Sequence, residues 1–273
     1  MSRSQLTPEG YAELALEVAT EAGKLALSGY RTRPTPTQKA RRELVTEFDV
    51  RSEQLIVERL SAATPELGLV GEESGAVRPA VLSWFVDPID GTTNFVHGHP
   101  FWAVSIGLLD GGTPVAGAVV APALGLSWHG FRGGWASRSG ENCSVSQTGE
   151  LEQSLIATGF PTDRRHAPDN NLDTFATVKK NVLGVRRCGS AALDLCLVAD
   201  GTYDAYWERR LNAWDAAAGA AILLAAGGKL TALDGGPVDL NVGHLIASNG
   251  RIHEQLQQLI ASANTNRGNT DPT

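Results

Sequence analysis

The 273-residue sequence predicts an α/β fold, α+β in its layering. Three observations predict it. The chain opens on an amphipathic helical pattern. Two apolar runs flank Asp110-Gly111-Gly112-Thr113, a turn signal that reads as a β-hairpin. From residue 151 onward, short apolar strands alternate with helical stretches, the signature of helices layered on sheets.

The elements follow in order. Residues 11–30 form the first helix: Leu14, Val18, Ala22, Leu25 and Ala26 share a face, and Glu13, Glu17, Glu21 and Lys24 fall elsewhere. Residues 31–42, RTRPTPTQKARR, read as a polar, proline-interrupted loop too long for a mere connector. A second helix runs from residue 47 or 49 to 63, buries Leu55, Ile56 and Leu60, and stops at Pro65. LGLVGEES is a short strand entering a turn at Gly71. The run Val81, Leu82, Trp84, Phe85, Val86 is a strand aimed at Asp87 and Asp90, with a turn on Gly91 into Thr92-Thr93-Asn94. After the hairpin, residues 126–146 continue as short strands and turns. A boundary near residues 140–150 separates an N-terminal α+β half, 1–145, from a C-terminal α/β half, 146–263; residues 264–273 read as a disordered tail. The second half runs strand (151–159), helix (169–181), strand (GVRRCG) and helix (SAALDLCLVADG, stopped at Gly201). It continues with strand (TYDAYWE), the small-residue helix NAWDAAAGAAILLAAGG, strands KLTALDGG and HLIASN, and a last helix over 252–263.

Composition narrows the function. No run approaches the roughly 18 apolar residues of a membrane span. The opening MSRSQLTPEGYAEL has no apolar signal core, so a cytoplasmic location is expected. Three cysteines, Cys143, Cys188 and Cys196, with no CxxC spacing make neither a disulfide framework nor a zinc site. A net charge of −7 argues against nucleic-acid partners. It would also repel an anionic substrate from clustered carboxylates unless cations intervene, which points to metal.

Acids stand at the ends of apolar elements in three places: Glu72-Glu73, Asp87 with Asp90, and Asp215. Hard cations such as Mg²⁺ take oxygen ligands. A pair of them polarises a phosphoryl group, activates a water and stabilises a leaving oxygen. Asp87 and Asp90 can reach a shared ion, with the Ile89 carbonyl as a further hard oxygen. The free amides after Gly91 offer an anion site, and the Thr92 hydroxyl can orient a water. Each acid alone has a plainer reading: Asp215 as a helix N-cap, Glu72-Glu73 as a solvated turn, DPID as a proline turn. His97 and His99, two apart without a third partner, make a weak metal pair. There is no P-loop and no GxSxG elbow.

Together, GEES (71–74), DPIDGTTNFVHGHPFWAVSIGL (87–108) and WDAAAGAAILLAAGG (214–228) resemble the metal-site motifs of the inositol monophosphatase family, in the same order and spacing. VTEFD, RCGSAALDLCLVADGTYDAYWE and GHLIASN extend the resemblance over residues 10–260. The resemblance implies an αβαβα sandwich of the inositol monophosphatase and fructose bisphosphatase type, assembled as a homodimer. It implies two to three Mg²⁺ ions: one on Glu72, Asp87 and the Ile89 carbonyl, a second on Asp87, Asp90 and Asp215, and a weaker third leaning on Glu72. The Gly91 and Thr92 amides would bind phosphate, and Thr92 with Asp49 would activate the water. Gly189, Ser190, Ala191 and Glu208 would line the alcohol side, touched also by Asp90 and Asp215. Thr92, Asp49 and Asp90 are thus the expected catalytic residues. The expected reaction is in-line hydrolysis of a small phosphate monoester, myo-inositol 1-phosphate first, inhibited by lithium.

Related sugar or metabolite substrates (fructose bisphosphate, histidinol phosphate, NADP) stay open as alternatives, as does a non-catalytic partner-binding role on the same fold. Thr93-Asn94, where the 3′-phosphoadenosine phosphate branch carries lysine and glutamate, argues against that branch. The sequence departs from the family pattern at Ala225, where a glutamate is usual. The flexible-loop lysine of the family corresponds to Lys39, or its place is taken by Arg41 or Arg42.

Overall fold

The structure is a computed structural model and describes residues 6–40, 43–78, 80–162, 165, 167 and 169–265. Helix α1 (Pro8–Gly29) starts three residues before the expected point because Thr7 caps it, its Oγ1 accepting from Gly10 N at 3.1 Å, and Pro8 suits the first turn. Its buried face is mostly alanine (Ala12, Ala15, Ala19, Ala22, Ala26) with Tyr11 and Val18, so the helix lies close on its sheet. Leu14 and Leu25, expected on that face, are half-buried at its edges.

The loop expected over 31–42 is in part a strand: β1 (Thr37–Ala40) pairs antiparallel with β2 (Glu43–Val45). Arg41 and Arg42 lie outside the described residues. Helix α2 (Glu47–Ala63) begins at Thr46, buries Ile56 and Leu60 completely, and ends at Thr64 before Pro65. The large sheet is then laid down: β3 (Gly68–Gly71), β4 (Gly75–Arg78), β5 (Leu82–Asp90), the short helix α3 (Thr92–His97), β6 (Ala103–Asp110), β7 (Thr113–Ala121), β8 (Leu126–Phe131), β9 (Ala136–Arg138) and β10 (Glu141–Cys143). Its order is β10-β9-β8-β7-β6-β5-β3-β4, antiparallel except for the parallel pair β3 and β5. The β6–β7 hairpin turns on Gly111 and Gly112, both at positive φ, as the two-glycine turn requires.

The second half opens with a 3₁₀ turn at Leu151–Gln153, where a strand was expected. It continues with β11 (Leu155–Thr158), α4 (Leu172–Lys179), β12 (Gly184–Arg186), α5 (Ala191–Ala199), β13 (Ala205–Glu208), α6 (Ala213–Ala225), β14 (Lys229–Thr231), β15 (Leu245–Ser248) and α7 (His253–Thr265). Helix α4 falls short of the expected 169–181, and Asn171 at φ 68° sets its start. The small sheet has order β12-β11-β13-β15-β14. Residues 264 and 265 belong to α7; the rest of the expected disordered tail lies outside the described residues.

Three apolar layers glue five structural ones. Tyr11, Val18, Ile56, Leu60, Trp84 and Ile106 pack α1 and α2 on one face of the large sheet. Leu193, Ala217, Val119, Tyr206 and Leu245 pack α5 and α6 between the two sheets. Val178, Trp207, Ile246, Leu256 and Ile260 pack α4 and α7 on the outer face of the small sheet. The result is an αβαβα sandwich. Among the described residues no helix is long and apolar enough to cross a membrane.

One contact positions the site. On the large sheet, a Cβ at Gly107 would stand 2.4 Å from Ala218 N, and one at Gly117 would stand 2.6 Å from Ala218 Cα. Helix α6 therefore rests on bare backbone, which explains the alanine run Ala216-Ala217-Ala218 and fixes where its first turn ends up.

Candidate active site

Strand β5 does not turn after Asp87; it runs on to Asp90. Asp87 pairs with Ser105 and Asp90 with Ala103, so three steps on β5 oppose two on β6. That extra residue is a β-bulge at Pro88-Ile89. In a regular strand, residues three apart face opposite ways; the bulge cancels the alternation. Proline, lacking an N–H, is tolerated where the ladder is broken. Asp87 Oδ1 accepts from Ile89 N at 3.0 Å, which closes the bulge on itself. The strand ends on Gly91 at φ 93°, where a Cβ would come within 3.1 Å of the Gly189 and Phe101 carbonyls.

Two further acids sit at the third position of capped helices, not at the cap. Asp49 Oδ2 accepts from Thr46 N at 2.8 Å and Thr46 Oγ1 at 2.6 Å, which completes a capping box and leaves Oδ1 for Thr92 Oγ1 at 3.1 Å. Thr92 Oγ1 also lies 3.1 Å from the Ile89 carbonyl. Asp215 repeats the device: Asn212 stands at the N-cap of α6 and its N–H donates to Asp215 Oδ2 at 2.7 Å. The plain N-cap reading of Asp215 therefore fails.

The fourth acid, Glu72, is in the turn between β3 and β4, and its N–H donates to Val86 O at 3.1 Å. Glu53, from α2 and 3% exposed, holds this turn by accepting from Glu73 N and Ser74 N, each at 2.8 Å. A Cβ on Gly71 would strike the Glu53 carboxylate at 2.6 Å, so glycine is needed there. The turn is thus built from below and is not a solvated accident.

Across the cleft stands α5. Asp90 Oδ2 accepts from Ser190 Oγ at 2.6 Å and from Ala192 N at 2.7 Å, so the strand and the helix grip one carboxylate. Asn94 ties the same halves: its Nδ2 donates to Phe101 O at 2.6 Å and Cys188 O at 2.9 Å. Two adjoining cavities result. The larger, about 570 Å³, is lined by Leu44, Glu72, Gly91, Thr92, Thr93 and Asn94. The smaller, about 370 Å³, is lined by Asp90, Ser190, Ala191, Asp194, Glu208 and Asp215 among others. Arg187, Gly189, Phe160 and Thr162 line both. Of the residues expected at the site, Glu72, Asp90, Gly91, Thr92, Gly189, Ser190, Ala191, Glu208 and Asp215 line these cavities, and Asp49, Asp87 and Ile89 are buried and line neither.

Electrostatics tests whether a cation fits. Asp87 is 3% exposed and Asp90 8%. Burial raises the Asp87 pKa well above the carboxylate range, and the charges of Glu72, Asp90 and Asp215 raise it further. Burial likewise raises Asp90, to about 6, and raises Asp215 well above its ordinary value, with Asp90 pressing on it. A hydrogen bond links the Asp87 and Glu72 carboxyls, a contact two anions cannot make without a proton or cation between them. Among the described residues no lysine or arginine forms an ion pair with Asp87, Asp90 or Asp215, and no three His, Cys, Asp or Glu side chains are already drawn into a finished ligand set. The all-oxygen donors, crowded by like charge, fit a hard divalent cation such as Mg²⁺ rather than zinc.

Burial also raises Asp49, against the hydrogen bonds that lower it, and raises Glu208 to about 7. The Tyr206 hydroxyl donates to Glu208. His99 Nδ1 accepts from Phe101 N at 3.3 Å, a loop contact and not a metal pair with His97. The three cysteines are free; burial pushes the Cys143 thiol up to about 11 and those of Cys188 and Cys196 upward too, so none is an activated nucleophile. Ala225 ends α6 beside Gly130 on β8, away from both cavities.

Sequence reasoning missed Leu44, Glu53, Phe160, Thr162, Arg187 and Asp194. Leu44 lies just past the segment read as a loop, and Glu53 in the second helix, where only Leu55, Ile56 and Leu60 were expected to be buried. Asp194 carried a signal, an acid within an otherwise apolar helix.

Comparison with known proteins gives the family of the chain. Residues 8–267 match the sequence model of the Inositol monophosphatase family. An inositol-1-monophosphatase of Synechocystis sp. is 40% identical over 92% of this chain and 88% of its own. The Nus factor SuhB of Pseudomonas aeruginosa is 37% identical over 89% and 93%. The solved inositol monophosphatase of Anabaena superposes with a TM-score of 0.86 at 38% identity, covering 93% of this chain and 96% of that one.

Proposed function

The chain belongs to the inositol monophosphatase family of phosphatases, and from that premise we propose that it hydrolyses small phosphate monoesters with Mg²⁺, D-myo-inositol 1-phosphate foremost. The observation that carries the proposal is the meeting of Glu72, Asp87, Asp90 and Asp215, from three separate segments, beside the Thr92–Asp49 pair. Glu72, Asp87 and the Ile89 carbonyl would hold one Mg²⁺; Asp87, Asp90 and Asp215 would hold a second; a third, weaker ion would rest on Glu72. When bound, the ions supply Lewis-acid polarisation of the phosphoryl group, acidification of a water and charge neutralisation at the leaving oxygen.

The chain's own residues do the rest. The Thr92 hydroxyl has one proton and two acceptors within 3.1 Å, Asp49 Oδ1 and Ile89 O. Donating to either leaves its lone pairs free to accept from the attacking water, and buried Asp49 takes up the proton demand. The Gly91 and Thr92 amides, at the start of α3, would receive phosphate oxygens. Ser190 and Ala192 fix Asp90 against rotation. Gly189, Ser190, Ala191 and Glu208 line the alcohol side, where Glu208 would accept a substrate hydroxyl. Asp90 and Asp215 would serve both the alcohol side and the second ion.

A second reading, a partner-binding protein on the same fold, draws on relatives that bear the name Nus factor SuhB. A pure binder has no need of four mutually repelling acids, two of them buried, which favours the enzyme. A homodimer in the cytoplasm, inhibited by Li⁺ in place of the weaker ion, completes the proposal. The test is phosphate release with and without Mg²⁺ on inositol 1-phosphate, fructose 1,6-bisphosphate, histidinol phosphate, NADP and 3′-phosphoadenosine 5′-phosphate. Preference for the inositol ester, lost in EDTA and in Asp90→Asn, supports it. Silence on the whole panel by folded, Mg²⁺-replete protein overturns it in favour of the binder.

A further inference from the structure

A cationic cavity outside the catalytic cleft has no part in the chemistry above. It holds about 520 Å³, a small-ligand size, and is lined by Arg31, Arg33, Pro34, Val96, His97 and Gly98. It shares no lining residue with the two cavities of the cleft, and no carboxylate lines it, in a chain of net charge −7. Two helices end there. Helix α1 stops at Gly29 and α3 at His97, and the Tyr30 hydroxyl ties them by donating to Gly98 O at 2.7 Å. Helix α3 is about 9 Å long, so the cavity stands at its far end from Gly91 and Thr92.

Arginines beside helix C-termini have a bland reading: they bond the last carbonyls and offset the dipole. The contacts go against it. Thr32 takes Gly29 O with its N–H at 3.1 Å and its hydroxyl at 2.7 Å. Gly98 N donates to Phe95 O at 3.1 Å and His99 N to Asn94 O at 2.9 Å. Among the described residues neither the Arg31 nor the Arg33 guanidinium makes a hydrogen bond or an ion pair. Arg31 instead lies over the Tyr30 ring, its Cζ 5.3 Å from the centroid, with its stem beside Gly98, where a Cβ would stand 3.5 Å from Arg31 Cγ. The N–H groups of both forks are therefore unspent. Both arginines also sit at positive φ, 64° and 58°, which is uncommon for residues other than glycine. Such strain persists where neighbours fix it and clusters at ligand sites; here Thr32, between the two, is the fixing contact.

The donors say which anion fits. A guanidinium keeps its charge at any working pH and matches phosphate oxygens two at a time. A carboxylate, with two oxygens and one charge, would occupy one fork and leave the other idle. A phosphate group has three terminal oxygens and up to two charges, enough for both forks and the His97 imidazole. We propose that the cavity between Arg31, Arg33 and His97 is a second anion site, apart from the catalytic cleft, that binds a phosphate group, free or carried on a small ester.

The experiment titrates inorganic phosphate into the whole chain by calorimetry at low ionic strength. The protein is first stripped of metal and then freed of chelator, so that the crowded acids repel phosphate from the cleft. Wild type should bind one phosphate, and Arg31→Gln/Arg33→Gln should bind it about 10- to 150-fold more weakly. The double variant should keep its melting temperature in phosphate-free buffer, since both side chains are exposed and unpaired. Arg33→Lys, with the charge kept and the fork lost, should fall between the two. No binding by wild type, or equal binding by wild type and the double variant, would overturn the site. Acetate bound as tightly as phosphate would overturn the phosphate class. Methyl phosphate separates the sources: binding equal to that of phosphate assigns an ester, and much weaker binding assigns the free ion, with the site upheld by either. Metal-free protein is used throughout, so the site stands or falls apart from the phosphatase reading.

Discussion

Replacing Gly107 with alanine should move Asp215. A Cβ at Gly107 would lie 2.4 Å from Ala218 N, 2.6 Å from the Ala217 carbonyl carbon and 2.6 Å from Ala217 Cβ. All three atoms are backbone or stiff, so no side chain can swing aside. Ordinary contact begins at 3.4 Å, so α6 must retreat by about 1 Å. Overpacking of this kind costs about 1–3 kcal/mol, which for a chain near this size lowers the melting temperature by roughly 2–12 °C. The retreat carries Asp215 away from Asp87 and Asp90, and a misplacement of about 1 Å in a catalytic constellation costs about 100-fold in rate. Gly117→Ala, whose Cβ would stand 2.6 Å from Ala218 Cα, should behave alike. Gly149→Ala, with nothing within 4 Å, is the control and should do neither. Thermal melting and phosphate release at saturating Mg²⁺ read the two effects. A lowered melting temperature with kcat intact would refute the claim that the α6 seat sets the position of Asp215.

Other expectations follow from single contacts. Thr92→Val should cut kcat by about 100- to 10,000-fold while Thr92→Ser restores most of it; equal damage from both would show that the methyl, not the hydroxyl, matters. Glu53→Gln turns an amide N–H donor toward the Glu73 or Ser74 N–H, so the Glu72 turn should loosen and the Mg²⁺ concentration for half-maximal rate should rise several-fold; an unchanged Mg²⁺ titration would sink that role. His253 bridges Ser248 Oγ at 2.8 Å and Thr231 Oγ1 at 2.9 Å, and burial with nearby Lys229 lowers its pKa to about 4. The unfolded chain therefore binds more protons than the folded one between about pH 6.5 and 4, so this stabilisation is present above that window and lost as pH falls through it. His253→Gln should flatten the melting temperature against pH there, and a profile parallel to that of wild type would count against it.

Periodicity carried much of the fold. The helices and strands expected after residue 183 differ from those observed by a few residues, because Gly201 and Gly227 at positive φ are local stops. What needed tertiary partners was hidden. Strand β1 sits in a proline-interrupted stretch that reads as loop, and its partner β2 just beyond it, since so short a pairing has no apolar pattern of its own. The bulge at Pro88-Ile89 reads from sequence as a proline turn, because only the pairing with Ser105 and Ala103 shows the extra residue. Asp49 and Asp215 were legible as acids but not as third-position helix residues, which is why each has one oxygen spent on its own cap and one left over. Arg187 gave no local sign of lying on a cavity wall, and the acid in apolar α5, Asp194, reaches one only through the way α5 docks between the sheets.

The central claim is that four crowded acids hold cations that drive phosphate release. Its most direct test is the rate of phosphate release from D-myo-inositol 1-phosphate as Mg²⁺ is titrated into EDTA-treated protein, for wild type and Asp215→Asn. The account predicts no release without metal, a rise with Mg²⁺ for wild type, and a curve displaced at least about tenfold to higher Mg²⁺, with a lower plateau, for the variant. Release that persists in EDTA, or a variant curve that overlays that of wild type, would contradict it.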